Sequence, residues 1–313
     1  MSKLYKFMPF REDFFEDPLL RLTPPCDLND PFDSKVSHEA INRKAAVMTN
    51  DFGTYAAMRS DFDLSNHSNI VDYLKNELDN YGVISLTEDR YNLLMWSHYA
   101  NEHKGIVVEY GELETMMVVS KNCVTSYNPS VSVPLPVKYT RRRPNKNIDD
   151  AYIYDTEDKS FFQHIAFVKG DDWIYEKEHR ILLPFLESDV SILISNLPNV
   201  DVERELNALE LEFSYVGNGL YKFERGEKSI YYNPMIFALK NPAVKKLGKV
   251  MAFKRPKVNS IKSITFGLKV ENSKIRKAIS IYKQSKFYHS NVRYFKAVQS
   301  EAYFELDFVE IFE

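Results

Sequence analysis

The stretch from Gly82 to Tyr110, GVISLTEDRYNLLMWSHYANEHKGIVVEY, restricts the possible folds more than any other, because two strand-like apolar runs enclose one short helix. Val83, Ile84 and Leu86 form the first run and Ile106, Val107 and Val108 the second, and β-branched side chains favour extended backbone in both. Between them, Asn92 to Asn101 lacks Gly and Pro and carries helical spacing. Trp96, Tyr99, Ala100 and His103 fall at i, i+3, i+4 and i+7, so they share a face if the helix runs that far. Such a stripe is commonly core. Ser85, Thr87, Ser97, His98 and His103 gather where strands end and a helix begins, which keeps a ligand site open as the alternative.

The rest of the chain can supply a sheet around this unit. Its 313 residues, 44% hydrophobic and 27% charged, describe a globular chain able to bury a large core in one big domain or two. A formal charge of -3 and a pI near 6.2 give no global attraction to nucleic acid or anionic membrane, so any such contact must be a local patch. The 20 Tyr and 21 Phe supply core area and flat faces on which a nicotinamide or an adenine can stack. Cys26 and Cys123 are far apart and lack metal or redox spacing. With an N-terminus too charged for a signal peptide and no long apolar run, a cytoplasmic chain without membrane contact is expected.

Lys3 to Phe7 and Leu19 to Thr23 read as the first strands, the second stopped by Pro24 and Pro25. In LNDPFD, Leu28 to Asp33, Pro31 fixes φ while Asn29 and Asp30 bond their own backbone, which predicts a rigid turn. Helical spacing recurs from His38 to about Met58 and from Ile70 to Tyr81. Met116 to Val119 and Val137 to Thr140 read as strands separated by a polar, Pro-containing loop. The run RRRPNK, Arg141 to Lys146, is either a solvated loop or a phosphate-contacting patch. Asp158 to Lys169 reads as a helix and the following DDWIYEKEHRILLPF runs into a strand. Residues 185–257 are less regular, with a helix at Val200 to Glu212 and a hairpin of Gly219 to Phe223 with Ser229 to Tyr232. They suggest an insertion or accessory lobe between a main domain begun by 1–184 and completed by 258–313. The final block reads as a strand at Ile261 to Val270, a helix at Ser273 to Gln284, and strands at Asn291 to Phe295 and Ala302 to Val309.

If the alternation in YEKEHRIL holds, Glu176, Glu178, Arg180 and Leu182 share one strand face. Carboxylates two residues apart lie roughly 6 to 7 Å from each other, close enough to couple their ionisation. The competing reading is an exposed, screened face that contributes little. His98 and Glu102 stand at i, i+4 with His103 beside them, but no third metal ligand presents itself and no metal is expected. There is no GxSxG elbow, P-loop or GxGxxG fingerprint, so a bound nucleotide would sit outside those architectures.

In order, LYKF, LNDPFD, GVISLTE, NLLMWSHYANEHKGIVVEY, VKYT and WIYEKEHRI, then IKSITFGLKV, NVRYFKA and FELDFVEI, make the chain resemble the bacterial family called domain of unknown function 2971. The resemblance spans roughly residues 3–184 and 258–312. In motif order that family is similar to ADP-ribosyltransferase-like proteins, including abortive-infection toxins. Those place a basic or His residue on the first strand, a Ser/Thr-bearing strand with a nearby aromatic, and a glutamate on a later strand. The positions are filled here by Lys6, by Ser85 and Thr87 with Trp96 or Tyr99, and by Glu178; Lys6 departs from the usual arginine or histidine.

The resemblance implies an α+β fold with a split mixed/antiparallel sheet and flanking helices, and an NAD-consuming effector of bacterial antiviral or toxin-type defence. NAD is its implied substrate, with a protein or nucleic-acid acceptor and a possible partner protein of a defence system. Glu178, tuned by Glu176, would stabilise an oxocarbenium-like ribose. Lys6 or Arg180 would neutralise pyrophosphate, Trp96 or Tyr99 would pack on nicotinamide, and Ser85, Thr87, Asn29 and His98 complete the expected nucleotide site. A nucleic-acid-binding or -cleaving defence factor, and a non-catalytic scaffold that senses a ligand or partner, are the other readings.

Overall fold

A computed structural model of the chain describes residues 3–50, 67–119, 129–145, 149–153, 159–225 and 238–312. The strands are β1 Leu4–Met8, β2 Leu20–Leu22, β3 Tyr81–Thr87, β4 Ile106–Tyr110, β5 Val131–Pro136, β6 Lys138–Thr140, β7 Val168–Gly170, β8 Glu178–Pro184, β9 Val190–Ile194, β10 Ser214–Gly217, β11 Leu220–Glu224, β12 Lys249–Lys254, β13 Ile261–Phe266, β14 Arg293–Gln299 and β15 Leu306–Ile311. The helices are α1 Glu12–Glu16, α2 His38–Asn50, α3 His67–Asn76, α4 Leu93–Tyr99, α5 Asp150–Ile153, α6 Lys159–Ala166, α7 Asn199–Ala208, α8 Pro242–Leu247 and α9 Asn272–Gln284.

The fold is α+β, built on a mixed sheet of eight strands in the order β15-β14-β13-β4-β1-β3-β8-β5. β13 and β14 are parallel and every other neighbouring pair is antiparallel. The two apolar runs of the central unit are β3 and β4. Both are antiparallel to β1, which lies between them, so β3, α4 and β4 form a parallel crossover split by an inserted strand.

Alternation assigns the two faces. Ile84 and Leu86 of β3, Ile106 and Val108 of β4, and Ile181 and Leu183 of β8 pack with Phe14 and Phe15 of α1 and with Ile275, Ala278 and Ile279 of α9. Val83, Val131 and Leu182 lie under α2, α3 and α6. Met95 and Trp96 of α4 cover Phe7 and Val107.

A second antiparallel sheet, β10-β11-β9-β12-β2, draws four strands from residues 190–254 and one, β2, from near the N-terminus. α7 packs on it through Val202 and Leu206. β2 joins the two sheets: Leu22 faces Ala252 of β12, and the next residue, Thr23, exchanges both backbone hydrogen bonds with Val83 of β3 at 2.8 and 2.9 Å. The crossing is tight at Gly82, where an added Cβ would lie 2.5 Å from the Leu22 Cβ and 2.9 Å from its carbonyl carbon. Asp17, just after α1, is held by Arg255 and Lys222 of the second sheet, a further tie between the layers.

Several local expectations change. α4 stops at Tyr99, and Asn101, Glu102 and His103 turn through left-handed backbone with φ of 46°, 53° and 69°, so the stripe does not continue as helix. Met116 to Val119 forms no named strand; Met117 makes a single bridge to Pro256. The loop expected before Val137 contains β5, whose Pro134 and Pro136 are tolerated because β5 is the sheet edge. The hairpin pairs β10 with β11, while the expected strand Ser229 to Tyr232, the end of the helix beyond Asn50, and Lys146 lie outside the described residues.

Candidate functional site

β1 and β3 pair at one register position, Tyr5 opposite Thr87, and then diverge. Between the diverging strands opens a cleft of about 400 Å³. Lys6, Asn29, Ser85, Thr87, Tyr99, Glu176, Glu178 and Arg180 all line it, and Met95, Met251 and Phe253 contribute apolar wall. Segments 77 to 147 residues apart in sequence therefore meet at one place.

The other expected residues lie elsewhere. Trp96 is fully buried, donates its indole N–H to the Arg90 carbonyl at 2.8 Å, and packs between Phe7 and His103. It is core and has no face for a nicotinamide. His98 is exposed and does not line the cleft, because the buried stripe of α4 passes through Met95 and Trp96. With Glu102 and His103 in the left-handed turn, the i, i+4 geometry considered for a metal does not form.

At the cleft floor lies a cluster of buried charges. Arg180, 1% exposed, donates from Nε to Glu178 Oε1 at 2.7 Å, from Nη2 to Glu178 Oε2 at 2.9 Å and to Asp33, and from Nη1 to Asp33 Oδ1 and the Ala166 carbonyl, each at 2.7 Å. A guanidinium has five N–H groups, and all five are used. Arg180 therefore has no donor left for a pyrophosphate, and its work is to hold Glu178 and Asp33.

Glu178 is nearly as fully occupied. Besides Arg180 it accepts from Lys169 Nζ at 3.1 Å, and the Ser85 side chain beside it also favours the charged form. Burial pushes its carboxyl up, but the charge and hydrogen bonds of Arg180, with Lys169 and Ser85, outweigh burial and hold it at about 2. Glu178 is thus locked in its ionised form.

Glu176 is not on the strand. It ends a 3₁₀ turn over Asp171–Glu176, and Lys177 adopts left-handed backbone, φ 44°, before β8 begins. That reversal still brings its carboxylate beside Glu178. Oε1 accepts from the Tyr99 hydroxyl at 2.6 Å and Oε2 from Lys169 at 2.5 Å, which leaves a lone pair unused on each oxygen of a side chain that lines the cleft. The Glu176 carbonyl accepts from Thr87 Oγ1 at 2.6 Å, fixing the turn to β3. Tyr99 lies beside Asn29, and burial followed by the Glu176 charge raises its phenol far above the ordinary range.

Lys169 and Asp33 escaped the sequence reasoning. Lys169 bridges Glu176 and Glu178, lies 3.9 Å from Asp33, and sits 4.8 Å from the Trp173 ring. Burial alone would lower its ammonium; Glu178 and Glu176 raise it instead. A lone lysine between Val168 and Gly170 gives no local signal. Asp33 belongs to the LNDPFD turn, which marked the region but not the residue.

Lys6 lines the same cleft beside this floor. It is half-buried and donates to the Ser85 carbonyl at 2.9 Å. Burial lowers its ammonium to about 8 against the opposing pull of Glu178 and Glu176. Counted as formal charges, Asp33, Glu176 and Glu178 against Lys169 and Arg180 leave the floor with one excess negative charge, which Lys6 balances.

Residues 95–181 match the family described as protein of unknown function (DUF2971), which supports that family for the chain. The match includes Tyr99, Lys169, Glu176, Glu178 and Arg180, while Lys6, Asp33 and Ser85 lie before it. No curated protein matches the chain, and no solved structure does. No helix among the described residues is long and apolar enough to cross a membrane.

Proposed function

We propose that the cleft takes NAD and that the protein breaks its nicotinamide–ribose bond, as an ADP-ribosyltransferase-like effector passing the ADP-ribosyl group to water or to an acceptor. The observation that carries this reading is the buried carboxylate of Glu178, held ionised at the cleft floor beside Glu176 and away from bulk water. Cleavage builds positive charge on the ribose, and a fixed, partly desolvated carboxylate stabilises that charge more than it stabilises the neutral ground state. Glu176 is the carboxylate with more acceptor capacity left for a ribose hydroxyl, so it takes the contact that the sequence pattern suggested for Glu178. Glu178 becomes the fixed charge behind it. Lys6 would meet the pyrophosphate, and a bound phosphate would draw its charge away from the floor. Tyr99 and the apolar wall offer packing for the nicotinamide. A role in antiviral or toxin-type defence follows only from the resemblance, and the acceptor is a protein or a nucleic acid.

A second reading is favoured by the saturation of Arg180: a network this completely paired suits a rigid binding site that senses a nucleotide without turning it over. Purified protein incubated with NAD, with and without lysate, distinguishes the two by release of free nicotinamide. Release by wild type that falls about 100-fold or more in Glu176→Gln, with unchanged melting, supports catalysis by the floor. NAD binding without release supports the sensor.

A further inference from the structure

Asp30 to Asp33 of the LNDPFD turn and Arg141 to Pro144 of the basic run meet in a second groove of about 600 Å³ that shares only Asp33 and Lys169 with the cleft. Asp30 Oδ1 accepts from the Phe32 backbone N–H at 2.8 Å, so the turn is self-bonded, and the Phe32 ring is 62% exposed. Arg143 holds that ring from one side: its guanidinium lies 5.4 Å from the ring centroid and donates to the Lys35 carbonyl at 2.9 Å. Arg141 and Arg142 are exposed and pair with no carboxylate among the described residues. Trp173 contributes a second aromatic surface to the same groove.

An aromatic ring held in water contributes little to the core, and two guanidiniums with no carboxylate partner among the described residues, on a chain of net charge -3, are a local exception to its charge. Together they supply what an unpaired nucleotide needs, a flat apolar face for the base and cations for the phosphates on either side of it. We propose that this groove binds single-stranded nucleic acid, with a base stacked on Phe32 and neighbouring phosphates on Arg141 and Arg142. A duplex is excluded by the stacking requirement, because its bases have no free face. Asp171 and Asp172, exposed at the same groove, repel a bare polyanion and accept hydrogen bonds from base N–H groups, so the bases are part of what is recognised. The proposal concerns binding alone and stands whether or not the cleft turns over NAD.

The test is fluorescence anisotropy with a short fluorescein-labelled single-stranded oligonucleotide of mixed sequence, as DNA and as RNA, between about 50 and about 200 mM salt. Arg141→Gln with Arg142→Gln should weaken binding at least about tenfold at the low-salt end and reduce the slope of log K against log salt by about 1.4, for two phosphates of a single strand. Phe32→Leu keeps bulk but removes the π face, and should weaken binding about tenfold without changing the slope, while Phe32→Tyr retains wild-type affinity. Thermal melting checks that each variant is folded. No binding by wild type at about 50 mM salt overturns the proposal. So does equal affinity of Phe32→Leu and wild type, or displacement by heparin or a duplex as effective as by unlabelled single strand.

Discussion

Glu178→Gln exposes how the charge cluster works. The substitution keeps the side chain's volume but replaces one acceptor oxygen with an NH₂ that faces donors of Arg180 and Lys169. Two routes give its cost. A carboxyl held at about 2 rather than its ordinary 4.5 favours the ionised folded form by about 3 kcal/mol, taking about 1.4 kcal/mol per tenfold. Removing one partner of a buried ion pair costs about 3 to 5 kcal/mol by general experience. At roughly 2 °C per kcal/mol for a chain of this size, the variant should melt about 6 °C below wild type at pH 7. The pH dependence fixes the cause. Because the folded value is depressed, the wild-type advantage is complete above the unfolded value near 4.5 and disappears as pH falls from there through about 2. Melting of both proteins by circular dichroism at pH 7, 5, 4 and 3 measures the gap; the roughly 6 °C difference should narrow below pH 4.5. A gap under about 1 °C at pH 7, or one that stays constant to pH 3, refutes the reasoning. Since Glu178→Gln carries this structural cost, lost activity in it does not identify catalysis, and Glu176→Gln is the substitution that does.

Other perturbations act on separate parts of the fold. If the Lys6 ammonium holds a phosphate, nucleotide affinity by calorimetry should fall as pH rises through about 8, and Lys6→Met should bind weakly with no such dependence. Gly82→Ala should destabilise by about 1 to 3 kcal/mol in urea titration, because the added Cβ meets Leu22 backbone that cannot move without parting β2 from β3. Glu102→Gly should stabilise by about 1 kcal/mol in the same titration, relieving the left-handed backbone of an exposed residue; a loss would show that the Glu102 side chain has a role of its own.

What was legible in the sequence follows from the range of the interactions involved. Period-2 runs on either side of a period-3.6 segment marked β3, α4 and β4, and alternation correctly put Glu178, Arg180 and Leu182 on one face. Glu176 broke the pattern because one left-handed residue, Lys177, intervenes, yet the turn returns the carboxylate to the same cluster through Lys169. Asp33 meets Arg180 across 147 residues, and no local pattern encodes that pairing. Of the second sheet, β2 and β11 were read, while β9, β10 and β12 were missed because their burial does not alternate, and β5 because its prolines signal a loop until the strand is known to lie at an edge. Trp96 was misplaced for the opposite reason. Ser97 and His98 beside it suggested a ligand site, but the residue itself obeys the plain rule that a large aromatic in an amphipathic stripe is buried.

The opening of the cleft can be traced to the backbone of one strand. Along the edge of β3 that faces β1, alternate residues present their N–H and C=O groups, and Val83, Ser85 and Thr87 find three different partners. Val83 pairs with Thr23, which extends from β2 of the second sheet. Thr87 lies opposite Tyr5 of β1. Between them, the Ser85 carbonyl is taken by the ammonium of Lys6, a side chain doing the job of a strand. The handover from β2 to β1 therefore leaves a gap one residue pair wide, with its carbonyl satisfied by a group that also faces the cleft. A protonated amine there can keep one N–H on Ser85 and turn the others toward an anion, and a neutral amine can still cap the carbonyl. The split in the sheet and the cation at its mouth are consequently one structural feature, and any ligand that draws on Lys6 does so at the point where the sheet is held open.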